Sequence, residues 1–497
     1  MTDNPLRGSV NSVELPYGSG AHPTTIRSLP VRILQAIVRF LQLEIPVRVL
    51  LFLVWLAMFC AGLAYVERYA LVNPYVDEWA FMPVLFGERP AGPWLWEQHN
   101  EHRFPLPRLI YLGLFRLTGD LRTGCWVSFL GISLLAAGLI RLARSVRGQS
   151  HLADAVFPLL LMHTGQGENL YMGYQLAFML TTALAGVLLG LIVTTSWPQR
   201  SNPADDPPLA RSESNRDGCD HFRRGLCATI VGWLLLTCGA SGLVYGIAAA
   251  AWIVLLAAFG WMSKTRRIVL VLLAVFTPVY AVVYFQGYVR PSHHPPSAGV
   301  FESARIALEA QSMAFGPSAT GLWPAIGLAV CFLGGAVVTG LAVQFRRDIR
   351  FAGLLLYVAA GAAVAFGIGW GRSGFMDNMG FAWRYGWITV PFVFATYFTW
   401  LIRGGRVAAY GTCALALVAL ALMPVNSISG FLNGENKVRP FETAWEADVR
   451  AGWTAEQVVD KHFPDYRDQT RQEVIEAMRL MRDRRYAYYE SLGRETP

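Results

Sequence analysis

Charge is what this sequence has least of. Only 15% of its 497 residues are Asp, Glu, Lys or Arg, against about a quarter in a water-soluble domain. Too few polar side chains are present to cover a water-facing globule, so that class is excluded. Cysteine is sparse as well. The seven, Cys60, Cys125, Cys219, Cys227, Cys238, Cys331 and Cys413, have no metal-ligand spacing and imply no disulfide framework. The short alternating segments of a membrane β-barrel are missing, and no internal repeat stands out. Finally, the apolar runs carry almost no ionisable side chain. That argues against an ion-coupled carrier, which needs carboxylates, histidines or broken helices near the midplane.

What the chain does have is apolar length. Hydrophobic residues make up 54% and the mean hydropathy is +0.36, in runs of about 20 residues, enough to cross roughly 30 Å of hydrocarbon. Such runs fall near 49–70, 122–142, 152–164, 173–196, 226–239, 242–261, 268–288, 319–343, 351–370, 383–402 and 407–423. The expected fold is all-α, a polytopic transmembrane helical bundle of about eleven spans. Its net charge of +8 is explained by topology rather than by nucleic acid. Arg141, Arg144 and Arg147, then Lys264, Arg266 and Arg267, then Arg346, Arg347 and Arg350, then Arg403 and Arg406 all fall on one side of an odd-numbered bundle. By the positive-inside rule that side is cytoplasmic. The N-terminus is then cytoplasmic, and the C-terminus lies outside the cytoplasmic (inner) membrane.

This topology divides the chain into a cytoplasmic segment 1–48, a transmembrane domain 49–423 and an extracytoplasmic helical tail 424–497. The first run begins too late and is too long for a cleavable signal peptide. Before it, Leu34, Ile37, Val38 and Leu41 share a helical face suited to the membrane interface. Residues 197–224, polar and Pro-rich, read as a disordered cytoplasmic loop. Loops 71–121 and 289–318 lie outside. In the first of them Leu106, Leu109, Ile110, Gly113, Leu114 and Leu117 form an amphipathic surface helix, with Arg108 and Arg116 off the stripe. In the tail, Thr454 with Gln457 and Thr470 with Glu473 fit capping boxes that open two helices. With few aliphatic residues, the tail is expected to dock on the outer loops rather than fold alone.

Polar residues crowd four segments, all on the outer side of this topology. "NPYVDEWAF" carries Asp77 and Glu78, and "WLWEQHNEHRFPLPR" carries His99, Glu101, His102 and Arg103. "HTGQGENLYMGYQ" carries Glu168, Asn169 and Gln175, and "GWGRSGFMDNMGFAWRYGW" carries Arg372, Arg384 and Tyr385. Each has a plain structural use. Asp77 can cap a helix beginning at Glu78. The two arginines can anchor helix ends in an aromatic belt. Glu168, Asn169 and Gln175 can satisfy backbone groups at a turn between short spans. His99, His102 and Glu101 offer a divalent metal a ligand set, or hydrogen-bond a loop framework. His293 and His294 read as members of a flexible loop.

The acidic pair in the first outer loop followed by amphipathic helices, the "QHNEHR" run, the "ENLYMGYQ" turn and the late "GR…RY" segment together resemble the GT-C membrane glycosyltransferases. The resemblance covers roughly residues 45–425. It implies an inverting transferase that uses a polyprenyl-phosphate-linked sugar at the outer face of the membrane and needs no nucleotide or redox cofactor. The acceptor would be a hydroxyl on a cell-envelope glycan, lipid or protein. Asp77 matches the family's catalytic carboxylate, with Glu78 as neighbour or substitute, and supplies the base for an acceptor hydroxyl. Arg372 and Arg384 would hold the lipid phosphate. His99, Glu101, His102, Arg103, Glu168, Asn169, Gln175 and Tyr385 would contact donor or acceptor. A flippase for a lipid-linked sugar, a polysaccharide polymerase or ligase, and a non-catalytic scaffold of the same architecture are the rival readings.

Overall fold

The structure is a computed structural model that describes residues 44–195, 209–260, 262–344, 348–466 and 468–494. Among the described residues all regular elements are helical, and a lone β-bridge pairs His99 with His102. In hydrocarbon each backbone N–H and C=O must bond inside its own segment, so apolar runs become helices.

Eight helices are long and apolar enough to cross a membrane: Glu44–Tyr69, Thr123–Arg147, Gly173–Val193, Ala240–Phe259, Lys264–Phe285, Ile349–Arg372, Tyr385–Arg403 and Gly405–Arg450. The chain is a multi-pass membrane protein. The expected count of about eleven is not reached by this criterion, and residues 152–164 show one reason. They form a turn at Leu152–Ala155, a helix of six residues at Val156–Leu161 and another turn at Thr164–Gln166. Six residues rise only about 9 Å. All six are buried, so their hydrophobicity serves protein packing rather than lipid contact. The run at 226–239 is the apolar end of the helix Leu209–Leu236. The run at 319–343 starts in a turn before the helix Ala325–Gln344.

Burial ranks the spans. Helix Tyr385–Arg403 is 83% buried over its most apolar window, whereas Lys264–Phe285 is 22% buried. The former is therefore the central post, which fixes Arg384 and Tyr385 at its N-terminal end. The latter is peripheral and turns most of its side chains outward.

Other expectations change. Residues 209–224, expected in a disordered loop, open the helix Leu209–Leu236. His221 is fully buried there, and Arg224 joins that helix to Thr194 through its Nη1 (2.5 Å). Thr470 lies inside the helix Asp468–Asp483 rather than at its start. Thr454 does cap, accepting the Gln457 N–H while Gln457 Oε1 accepts the Thr454 N–H. The interfacial helix expected before residue 44 lies outside the described residues.

In the first loop, helix Pro105–Thr118 buries Arg108, Tyr111, Leu112 and Phe115. Leu109 and Leu117, from the predicted apolar stripe, are uncovered by protein. Arg108, read as a polar-face residue, is only 2% exposed. It donates to the Glu97 and Trp94 carbonyls and stacks on Phe104 and Trp94. Burial pulls its guanidinium down to about 10.

The last apolar helix continues through a wide turn at Gly434–Val438 into Arg439–Arg450. The tail folds back over the first loop. Asn73 Oδ1 accepts from the Tyr488 and Tyr489 hydroxyls at 2.6 Å each, and Asn73 Nδ2 donates to Glu442. Trp79 packs against Trp445, ring centres 5.6 Å apart. The tail thus roofs the segment that carries Asp77.

Candidate active site

The segment "YVDEWAF" coils into a 3-10 turn over Val76–Phe81. Its start is strained: Val76 has φ +49°, a conformation that a β-branched side chain resists. Strain of this kind is held only where the surroundings over-determine it. The cap proves to be Glu78, not Asp77. Glu78 Oε2 accepts the Tyr75 N–H (3.1 Å), while Oε1 accepts the Tyr174 N–H (2.7 Å) and the Tyr111 hydroxyl (3.1 Å). Glu78 is 2% exposed, and burial raises its carboxyl to about 7. The geometry gives it to the scaffold, and leaves Asp77 as the half-exposed acid of the pair.

Asp77 opens into a cavity of about 590 Å³. Burial works against its charge, but contact with His99, the positive Arg384 and a hydrogen bond from Asn100 hold its carboxyl below the ordinary range. His99 Nε2 stands 3.7 Å from Asp77 Oδ1, and Asn100 Nδ2 donates to the same oxygen at 3.4 Å. These two residues belong to a tight turn. His99 and His102 exchange backbone N–H to carbonyl bonds of 2.8 and 2.9 Å, and Asn100 takes φ +48°.

Both predicted arginines line the same cavity. Arg384 Nη1 donates to Glu168 Oε2 (3.2 Å), and its guanidinium lies over the Tyr385 ring. Burial opposes its charge, but Tyr385, Glu168 and Asp77 raise its pKa above the ordinary value. Arg372 donates to Glu101 Oε1 (3.0 Å) and to the Tyr385 hydroxyl (3.1 Å). Glu101 also meets His294 Nδ1 at 2.5 Å, so a residue expected in a flexible loop closes one edge of the site. Burial resists the Glu101 charge, yet Arg372 and the two imidazoles keep its carboxyl below the ordinary range. Burial lowers His102, favouring the neutral ring.

Nine of the candidate residues therefore share one cavity: Asp77, His99, Glu101, His102, Glu168, Gln175, Arg372, Arg384 and Tyr385. Three do not line it. Glu78 lies behind Asp77. Arg103 donates to the carbonyls of Trp96, Tyr284 and Gln286, stitching the first loop to the end of a neighbouring helix. Asn169, fully buried, donates to Gln166 and to the Arg384 carbonyl (3.2 Å), and so supports that arginine from behind. Among the aromatic residues that also line the cavity, Tyr75 and Phe178 were not singled out by sequence reasoning. Their only sequence signal is adjacency to the polar motifs. Val244, Val364 and Ile368 give the cavity an apolar wall between helices.

A metal fits this donor set poorly. Among the described residues no three His, Cys, Asp or Glu side chains converge as ligands. His99 faces Asp77, whereas Glu101 turns to Arg372 and His294.

No protein-family model matches the chain, and no curated protein matches it in sequence. Among solved structures it is similar to ArnT from Cupriavidus metallidurans in the apo state, at 15% identity over 90% of this chain and 77% of that one, TM-score 0.42. The same protein bound to undecaprenyl phosphate is 13% identical over 86% of this chain and 84% of that one, TM-score 0.39.

Proposed function

We propose that this protein is an inverting membrane glycosyltransferase of the GT-C type, taking its sugar from a polyprenyl phosphate. The observation that carries the reading is a single cavity lined by a half-exposed carboxylate, Asp77, by two guanidiniums, Arg372 and Arg384, and by an apolar wall. A lipid-linked sugar has matching parts: an isoprenoid chain for the wall, a phosphate for the arginines and a sugar between phosphate and carboxylate.

In this reading Asp77 takes the proton of an acceptor hydroxyl as that oxygen attacks the anomeric carbon. The bond from that carbon to the phosphate oxygen breaks, and its electron pair stays on the phosphate. Attack opposite the leaving group inverts the centre. The new negative charge accumulates beside Arg372 and Arg384, whose forked donors suit phosphate. Glu101 and Glu168 hold those guanidiniums in place before the donor arrives. His99 and Asn100 fix the Asp77 carboxylate, while Glu78 positions its turn. Gln175, His102 and Tyr385 are placed to meet sugar or acceptor hydroxyls. No step is routed through a metal or a nucleotide. The Arg-rich loops support placing this face outside the cytoplasmic membrane.

The direct test is release of polyprenyl phosphate from lipid-linked sugars by the purified, reconstituted protein. Turnover by the wild type and its loss in Asp77→Asn support the reading; undiminished turnover by a folded variant removes Asp77 from the mechanism.

A further inference from the structure

A second cavity, of about 760 Å³, lies between the first loop and the tail and shares no lining residue with the Asp77 site. Five arginines line it: Arg116, Arg122, Arg450, Arg484 and Arg485. Three are neutralised. Arg122 pairs with Asp120 at 2.8 Å, Arg450 with Glu446 at 2.7 Å, and Arg484 with Glu88. Arg116 and Arg485 have no ion pair among the described residues, and both are exposed. The groove therefore keeps an uncompensated charge of two guanidiniums.

The turn that presents Arg485 is held firmly. Arg485 and Ala487 adopt φ +52° and +48°, left-handed values that are costly for residues other than glycine. Tyr486 between them is buried, its hydroxyl bonded to the Leu121 N–H (3.3 Å) and its ring against Phe86 and Phe115. On the first-loop helix that lines the same groove, Arg116 is followed by Leu117, 85% exposed, and Leu109 is 53% exposed. The next helix, Thr123–Arg147, is a membrane span. Uncovered leucines beside a cation at the end of a span mark the depth of lipid headgroups.

We infer that this groove seats the phosphate of an anionic membrane lipid, held between Arg116 and Arg485. The inference is independent of the transferase reading. It is tested by native mass spectrometry of the full chain in neutral detergent, titrated with phosphatidylglycerol or phosphatidylcholine. The wild type is expected to retain phosphatidylglycerol roughly tenfold more tightly. Arg116→Gln with Arg485→Gln is expected to abolish the preference, and each single variant to lose part of it, so the outcome does not hang on the double variant folding. Arg439→Gln, at an exposed arginine already paired with Glu435, is expected to keep it. An unchanged preference in the folded variants overturns the inference. Equal competition by soluble glycerol phosphate also overturns it, because the groove would then recognise free phosphate rather than lipid.

Discussion

Asp77 and Glu78 are chain neighbours with opposite surroundings: the Asp77 side chain is 40% exposed in the cavity, whereas Glu78 is 2% exposed behind it. One 3-10 turn sets one carboxylate in the cavity and the other into the scaffold. Substitutions at the two should therefore fail differently. Asp77→Asn is expected to lower turnover by roughly 10²–10⁴-fold with the melting temperature little changed. Steady-state transfer and thermal unfolding of the same preparation check this.

Glu78 makes stability depend on pH. Its folded carboxyl is raised to about 7 from an ordinary 4.5, so the native state prefers the protonated form. That preference is fully present below about pH 4.5 and is lost as pH rises through about 7, a contribution of about 3 kcal/mol. Glu78→Gln should flatten this part of the profile. The difference in melting temperature between wild type and variant, followed across that window, isolates it from other titrating groups.

Arg384 is the stronger of the two phosphate candidates, because the central helix and the Asn169 amide fix its backbone. Arg384→Gln should weaken polyprenyl phosphate binding about tenfold or more, and Arg384→Lys should restore part of it, since an ammonium keeps charge but not the fork. Pairing each with Glu168→Gln separates lost phosphate contact from an orphaned carboxylate. Binding of the lipid phosphate in micelles is the readout.

Asn73 ties the tail to the first loop through three hydrogen bonds. Asn73→Ala strands the proton of the buried Tyr489 hydroxyl, leaves Tyr488 only its contact with Glu442, and should cost about 2–4 kcal/mol. Faster proteolytic cleavage within residues 451–466, beyond the last apolar helix, is the expected result.

Much of this was legible in the sequence, because hydropathy and charge act locally. The helical membrane class followed from missing charge. The four polar motifs flanked apolar runs, and nine of the twelve candidate residues they carry meet in one cavity. What could not be read depends on distant partners. Arg103 and Arg108 look like site or surface cations, yet carbonyls many residues away take them up. Glu78 and Asp77 are indistinguishable until Tyr111 and Tyr174 arrive. Residues 152–164 have the hydropathy of a span, but from 156 onward they are buried in protein, and the run breaks into turns.

The most direct measurement is made in cells: the lipid fraction of a strain lacking the protein, complemented by wild type or by Asp77→Asn at equal abundance. One polyprenyl-phosphate-linked sugar should accumulate without the protein, disappear with the wild type and persist with the variant. Clearance of that lipid by Asp77→Asn, or no accumulation at all, would contradict glycosyl transfer at Asp77.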